Sequence, residues 1–248
     1  MKKTLYILLL ICASVNVFAA GGEDYPLDSI NTDHADKASL QRGAKYYQNY
    51  CSACHGTRFQ RYERVADDLG IPHDLMMENL VFNKQAKIGD LMATNMDPKE
   101  AKEWFGIAPP DLTLVARVRG EDWLYTYLRT FYADPKRPWG VNNKVFADVG
   151  MPHVLMELQG VQMNVCATSD GELSDDKGCT LIVDPERKGV MTPDEFDQAM
   201  YDLTNFLSYS AEPMKMKRQK LGTYVLLFLL VFLVFACLLK REYWKGVH

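Results

Sequence analysis

Basic residues are scarce along most of this chain. Between Ala20 and Glu212 there are 19 lysines and arginines against 31 aspartates and glutamates, a formal charge of about −12. The whole-chain value is only −4, because nine of the 28 basic residues stand near the two ends. An acidic surface of this kind repels nucleic acid, whose binding depends on neutralising phosphates. It steers a basic protein partner by long-range attraction, or simply keeps the domain soluble. The chain also lacks a second C-x-x-C, so no four-cysteine zinc site can be assembled. It has no internal repeat, and no pair of strands stands out from its apolar pattern.

Two segments are not globular. At the amino end, Lys2 and Lys3 precede an apolar run from Leu5 to Val17, and Val17-Phe18-Ala19 supplies small positions before a cut. That layout reads as a secretory signal peptide over 1–19, too short to span a membrane comfortably. Cys12 would be discarded with it. Near the carboxyl end, Leu221 to Leu239 contains no charged residue. Nineteen residues at about 1.5 Å each give roughly 28 Å, close to the hydrocarbon thickness of a bilayer. Lys215, Lys217, Arg218 and Lys220 stand before this run, with Lys240, Arg241 and Lys245 after it. Tyr224, Tyr243 and Trp244 suit the interfacial belt. The expected organisation is a signal peptide at 1–19, an exported domain at 20–213, a membrane anchor at 214–240 and a cytoplasmic tail at 241–248.

The exported part reads as mainly α with long loops. Residues 37–50 carry Leu40, Ala44, Tyr47 and Tyr50 at helical spacing. Gly43 within that run costs about 1 kcal/mol relative to alanine, which predicts a second helix crossing closely there. Short helical patterns occur around 60–69 and 98–105. Ala108-Pro109-Pro110-Asp111 is a stop, since two prolines cannot sit inside a helix. Helical patterns resume over 112–119 and 121–132, and a long irregular region runs from Pro135 to about Gly189. Thr192, Pro193 and Glu195 then open a helix to about Ser210 with a capping box. It carries Phe196, Met200, Leu203, Phe206 and Leu207, and is expected to cross the 37–50 helix.

The chemistry is concentrated at Cys51-Ser52-Ala53-Cys54-His55. Two cysteines three apart present their sulfurs on one turn, at the spacing of the two vinyl groups of a porphyrin. The adjacent histidine then falls beneath the iron. A bare C-x-x-C would also suit a redox dithiol, a zinc site or a disulfide, but the following histidine in an exported chain favours covalent haem. With one such motif, one haem c is expected. Spacing alone leaves its sixth ligand open among Met92, Met96, Met151, Met156, Met163, His34, His73 and His153. Met151 is favoured chemically, because Gly150 permits close approach and Pro152 stiffens the chain. A Met–His pair also suits a high-potential carrier.

The C-x-x-C-H motif, Ala108-Pro109-Pro110-Asp111-Leu112, Ala116-Arg117-Val118-Arg119-Gly120-Glu121-Asp122, Gly150-Met151-Pro152 and the tail anchor follow one another in this order. In that order the chain resembles cytochrome c1, the haem subunit of the ubiquinol:cytochrome c reductase, over essentially its whole mature length. It looks closest to proteobacterial members. The resemblance implies a c-type cytochrome fold with His55 and Met151 as axial ligands. It also implies an arginine paired with a haem propionate, best matched by Arg119 with Arg117 as its neighbour. Arginine binds a carboxylate bidentately and stays charged when partly buried. A carbonyl of Pro109 or Pro110 is expected to accept the His55 ring N–H. Implied partners are cytochrome b, the Rieske iron–sulfur subunit and a cytochrome c acceptor, at the bacterial inner membrane with the haem domain in the periplasm. The role is one-electron transfer, with no substrate bond made or broken by this chain. A haem enzyme or gas sensor would instead need an open iron position. Cys166 and Cys179, left over in an oxidising compartment, are expected to form a disulfide, and Cys237 lies in the anchor.

Overall fold

The computed structural model describes residues 25–166 and 179–246. The expected signal peptide lies outside the described residues. Asp36 caps the first helix, α1 (Lys37–Tyr50), by accepting from the Ser39 amide at 3.0 Å. After it come β1 (Thr57–Arg61), α2 (Tyr62–Leu69), α3 (His73–Asn79), β2 (Leu91–Met92), α4 (Pro98–Phe105), α5 (Val115–Arg119) and α6 (Glu121–Arg129). The chain continues through β3 (Phe131–Ala133), β4 (Val141–Asn143), α7 (Met156–Gln159), β5 (Gly160–Cys166) and β6 (Cys179–Lys188). It ends with α8 (Pro193–Ala211) and α9 (Lys215–Tyr243). The architecture is mainly α, as the periodicity predicts, and α8 carries the capping box of Thr192 and Glu195 in full.

The core is built where α1 crosses α8, with α5 and α6 also packed on α8. Leu40, Ala44 and Tyr47 bury against Leu203, Phe206 and Leu207. The Tyr47 and Phe206 rings lie 5.6 Å apart. Gly43 is required at the crossing: a Cβ there would stand 2.0 Å from the Asp202 carbonyl oxygen and 2.7 Å from the Phe206 Cβ. The crossing is closed on its solvent side by Arg42, whose Nε and Nη2 hold the buried Asp202 carboxylate at 2.6 and 3.0 Å.

Strand content exceeds the expectation. Each of three two-stranded antiparallel sheets pairs successive strands, β1 with β2, β3 with β4 and β5 with β6. β4 and the β5–β6 hairpin lie in the region read as irregular, while β3 takes the end of the 121–132 run read as helical, where α6 stops at Arg129. Val161, Met163 and Val165 do alternate with Gln162 and Asn164, but with the usual polarity reversed. Met163 and Val165 face solvent, while Gln162 points inward and donates to the Arg129 and Phe131 carbonyls at 2.8 and 2.7 Å. A polar inner face hides a strand from a reading based on apolar periodicity. Cys166 and Cys179 close this hairpin through a disulfide, with S–S 1.94 Å.

α9 has 29 residues and none of them is buried. At about 1.5 Å per residue it is roughly 44 Å long, and it is long and apolar enough to cross a membrane. A polar network ties its first turn to the domain. The Lys215 ammonium lies 3.7 Å from Glu121, which also accepts from Thr32 at 2.8 Å and from Ser208. His34 Nε2 donates to the Ser208 oxygen at 2.8 Å. Burial lowers the His34 pKa, and the Lys215 charge adds to that, while Glu121, Glu212 and Asp33 oppose it; the Tyr209 ring stands edge-on at 6.2 Å. A base held below its ordinary value of about 6.5 stays neutral in the native state where the unfolded chain is already protonated. Its contribution to stability is therefore complete above about pH 6.5 and is lost as pH falls through the folded-state pKa. Thermal denaturation of the protein should accordingly show a smaller loss of Tm on acidification in His34→Gln than in the wild type; equal slopes would remove this assignment.

Candidate functional site

α1 delivers the C-x-x-C-H turn. The Cys51 amide still bonds to the Tyr47 carbonyl at 2.9 Å, and the Cys54 and His55 amides then turn back onto the Cys51 carbonyl at 3.1 and 2.8 Å. This places Cys51, buried, and Cys54, half-buried, on one turn as free thiols. Burial, helped by Cys54, pushes the Cys51 thiol up to about 12, and burial raises Cys54 as well. A redox-active dithiol carries the opposite shift, so that reading of C-x-x-C loses its support.

His55 is held on two sides. Its carbonyl accepts the Tyr47 hydroxyl at 2.7 Å, and its Nδ1 lies 2.7 Å from the Pro110 carbonyl. A carbonyl can only accept, so Nδ1 carries the proton. Nε2 has no hydrogen-bond partner among the described residues and presents its lone pair for a metal. Burial lowers the imidazole pKa and the Pro110 bond opposes it in part, so His55 is neutral at neutral pH. Of the two prolines the sequence offers, Pro110 makes the contact. Asp111 keeps it there: its carboxylate accepts from the Arg58 amide at 2.9 Å, and from the Thr113 amide and hydroxyl at 3.0 and 2.6 Å. The Leu112 amide bonds to the Gly56 carbonyl at 2.8 Å. Together these bonds clamp 56–58 to 110–113.

Met151 is carried by a turn that two asparagines of β4 build. Asn142 accepts from the Asp148 amide at 2.9 Å, and Asn143 accepts from the Val145 and Phe146 amides at 2.9 and 3.1 Å. Asn143 also donates to the Tyr127 carbonyl at 2.8 Å, joining the turn to α6. Asp148 has φ 60°, a left-handed conformation that aspartate tolerates, and Arg137 holds its carboxylate and carbonyl, each at 2.8 Å. Beyond it, Met151 packs on Phe131, Val141, Val149 and Tyr127, and the Tyr127 hydroxyl lies 3.4 Å from its sulfur. A Cβ on Gly150 would find ordinary contacts with the Phe105 carbonyl oxygen and Ile107, at 3.4 and 3.6 Å. Protein packing alone therefore does not demand glycine there. Segment 105–110 touches Gly150 at one end and His55 at the other.

The two arginines point to different places. The Arg119 guanidinium lies over Trp123 at 5.1 Å and over Phe146 at 5.8 Å, is exposed, and meets no carboxylate among the described residues. Arg117 instead lines a small cavity with Glu121, Glu212 and Lys215 at the root of α9.

Most of the other candidates for a sixth ligand are buried in the core, exposed at the surface or hydrogen-bonded elsewhere. Met92 is buried in the core, Met156 is exposed at the start of α7, and Met163 lies exposed on the hairpin near Arg187. Met96 is half-buried on the loop after β2. His73 Nε2 meets Asp67 at 2.8 Å, and His34 meets Ser208. His153 stacks flat on Phe131 at 4.9 Å, and neither ring nitrogen makes a hydrogen bond among the described residues. Burial pushes its imidazole down to about 4. Residue-by-residue reading missed Tyr47, Asp111, Tyr127, Asn142 and Asn143. The paired asparagines within an irregular stretch were a turn signal for two of them.

Covalent attachment of a c-type haem needs two thiols on one turn and an adjacent histidine lone pair. Cys51 and Cys54 on one turn and the Nε2 of His55 have the layout that those needs describe. The family model for the cytochrome c1 family matches residues 28–176 and 186–247. A cytochrome c1 of Allochromatium vinosum is 48% identical over 250 residues, covering all of both chains. An ammonia monooxygenase gamma subunit of Nitrosomonas europaea is 44% identical over 248 residues, again covering all of both. A cytochrome c1 of Rhodobacter capsulatus is 25% identical over 279 residues, covering 95% of this chain and 96% of its own. The chain belongs to the cytochrome c1 family, the electron-carrying subunit of the cytochrome bc1 complex. Membership implies haem c, and cytochrome b and Rieske subunits as partners.

Proposed function

We propose that this chain takes single electrons from the Rieske iron–sulfur subunit and passes them to a cytochrome c, within a bc1 complex of a bacterial inner membrane. In this reading residues 1–19 direct export and 20–213 form the periplasmic domain. Residues 214–240 cross the membrane, and 241–248 remain in the cytoplasm. The observation that carries the proposal is the His55 ring, tautomer-locked by Pro110 with its Nε2 lone pair free, on the same turn as Cys51 and Cys54. Cys51 and Cys54 would hold one haem c through thioethers, His55 and Met151 would bind its iron, and Arg119 would pair with a propionate. When bound, haem supplies a one-electron ferrous–ferric couple. The rest is positioning by this chain. Asp111 and Pro110 fix His55, the asparagine turn presents Met151, and Arg119 lies on an aromatic shelf with no carboxylate partner among the described residues. The acidic charge of the exported domain favours a basic acceptor. The Cys166–Cys179 bridge suits an oxidising compartment.

The test is attachment. Purified through a tag on this chain, the wild-type complex should contain a cytochrome b and an iron–sulfur subunit, and this chain should keep haem colour on a denaturing gel. Cys51→Ser with Cys54→Ser should lose all of that colour. Colour lost from the wild type under these conditions would remove the covalent reading.

A further inference from the structure

The Tyr127 hydroxyl meets Met151, its oxygen 3.4 Å from the methionine sulfur. The ring has little freedom. It stacks on Trp123 at 4.8 Å and 9°, meets Phe131 edge-on at 5.1 Å and 72°, and its own carbonyl is held by Asn143 at 2.8 Å. Phe131 is in turn backed by His153, and Trp123 by Arg119. The hydroxyl is therefore aimed by a rigid aromatic column that joins α6 to the Met151 turn. We propose that Tyr127 is a positioning residue for the sixth ligand, donating a hydrogen bond to the Met151 sulfur and thereby raising the potential of the haem. This rests on the reading of Met151 as a ligand.

The chemistry follows from the donor set. A thioether sulfur has two lone pairs and is a weak acceptor, and a phenol with an ordinary pKa of about 10 is a donor at every physiological pH. A sulfur that shares one lone pair with an O–H has less electron density to give to iron through the other. Ferric iron depends on that donation more than ferrous iron, so the hydrogen bond favours the reduced state. The same bond also orients the methionine side chain, whose three rotatable bonds otherwise leave the sulfur free to wander.

Tyr127→Phe separates the hydroxyl from the ring. The phenylalanine keeps the stack on Trp123 and Phe131, so folding and haem attachment should be preserved. At a fixed ambient potential the ferrous-to-ferric ratio should fall roughly 3- to 10-fold, the scale of one net hydrogen bond; tenfold corresponds to about 59 mV for one electron. In the ferric spectrum the sulfur-to-iron band should persist but move, and it should weaken further if the hydroxyl is also needed to hold the sulfur in place. An unchanged potential with an unmoved band overturns the inference, as does a potential that rises. Met151→Leu is measured alongside. If the band survives that replacement, Met151 is not the ligand and the underlying reading fails. If it vanishes there while Tyr127→Phe matches the wild type, only the role of Tyr127 fails.

Discussion

Replacing Met151 with leucine should abolish the sulfur-to-iron band of the ferric protein, lower the haem potential and open the iron to carbon monoxide. The two side chains have similar volume, and such swaps cost a core less than about 1.5 kcal/mol. The Asn142–Asn143 turn, the Asp148 contacts and the apolar bed of Phe131, Val141 and Val149 all remain. Cys51, Cys54 and His55 are untouched, so attachment should survive while one coordination position empties. Solvent oxygen entering the emptied position is a harder donor than sulfur and favours ferric iron, and axial ligands move haem potentials over a span of about 0.8 V. A drop on the order of 0.1 V or more is expected, with a matching slowdown in accepting electrons from the iron–sulfur subunit. Met156→Leu and Met96→Leu are the comparisons. Met156 is exposed at the head of α7 and Met96 sits on the loop after β2, so both variants should keep band and potential. A band that survives Met151→Leu and disappears in either of the others would falsify the ligand assignment.

The second large effect is expected at Gly43, where α1 crosses α8. In a helix interior alanine is better than glycine by about 1 kcal/mol, so Gly43→Ala would stabilise an isolated α1. Here the new Cβ would lie 2.0 Å from the Asp202 carbonyl oxygen and 2.7 Å from its carbonyl carbon. Those are backbone atoms of α8 and cannot rotate away. The two helices must part, weakening the Tyr47–Phe206 contact and the burial of Leu203 and Leu207. Overpacking of this kind costs up to about 3 kcal/mol or more, a large share of the 5–15 kcal/mol that typically holds a domain together. Because α1 runs directly into the Cys51 turn, the yield of haem-loaded protein should fall with stability. Denaturant titration of the haem domain gives the measurement; a midpoint equal to wild type would mean that α1 and α8 do not cross at Gly43.

Much of this was legible along the chain, because it rests on local rules. Helical periodicity places α1, α4 and α8, and the Thr192–Glu195 box places the start of α8 to the residue. Apolar length marks α9, and Gly43 on an apolar face announces a close crossing. Cys51, Cys54 and His55 fall within one turn, so their arrangement follows from spacing alone. Met151 is different: nothing in its spacing from His55 distinguishes it from the other methionines, and the sequence singled it out by Gly150, Pro152 and resemblance.

What spacing cannot supply is long-range partnership. Pro110 is 55 residues from His55, and only folding decides that its carbonyl rather than that of Pro109 fixes the imidazole tautomer. The Tyr127 hydroxyl reaches Met151 across 24 residues, a contact set by the aromatic column rather than by any periodicity. The β5–β6 hairpin escaped notice because Gln162 faces inward to satisfy two backbone carbonyls while Met163 and Val165 face out. Arg117 and Arg119 are equivalent as letters two apart on one short helix. The tertiary structure separates them, since one side of α5 meets the acidic root of the anchor and the other meets Trp123 and Phe146. The sequence by itself determined the longest helices, the apolar run of α9 and the C-x-x-C-H turn, because each is a short-range consequence of residue type. Only the tertiary structure decided which distant groups orient His55 and Met151, because hydrogen bonds and ring contacts depend on positions that the whole chain must fold to bring together.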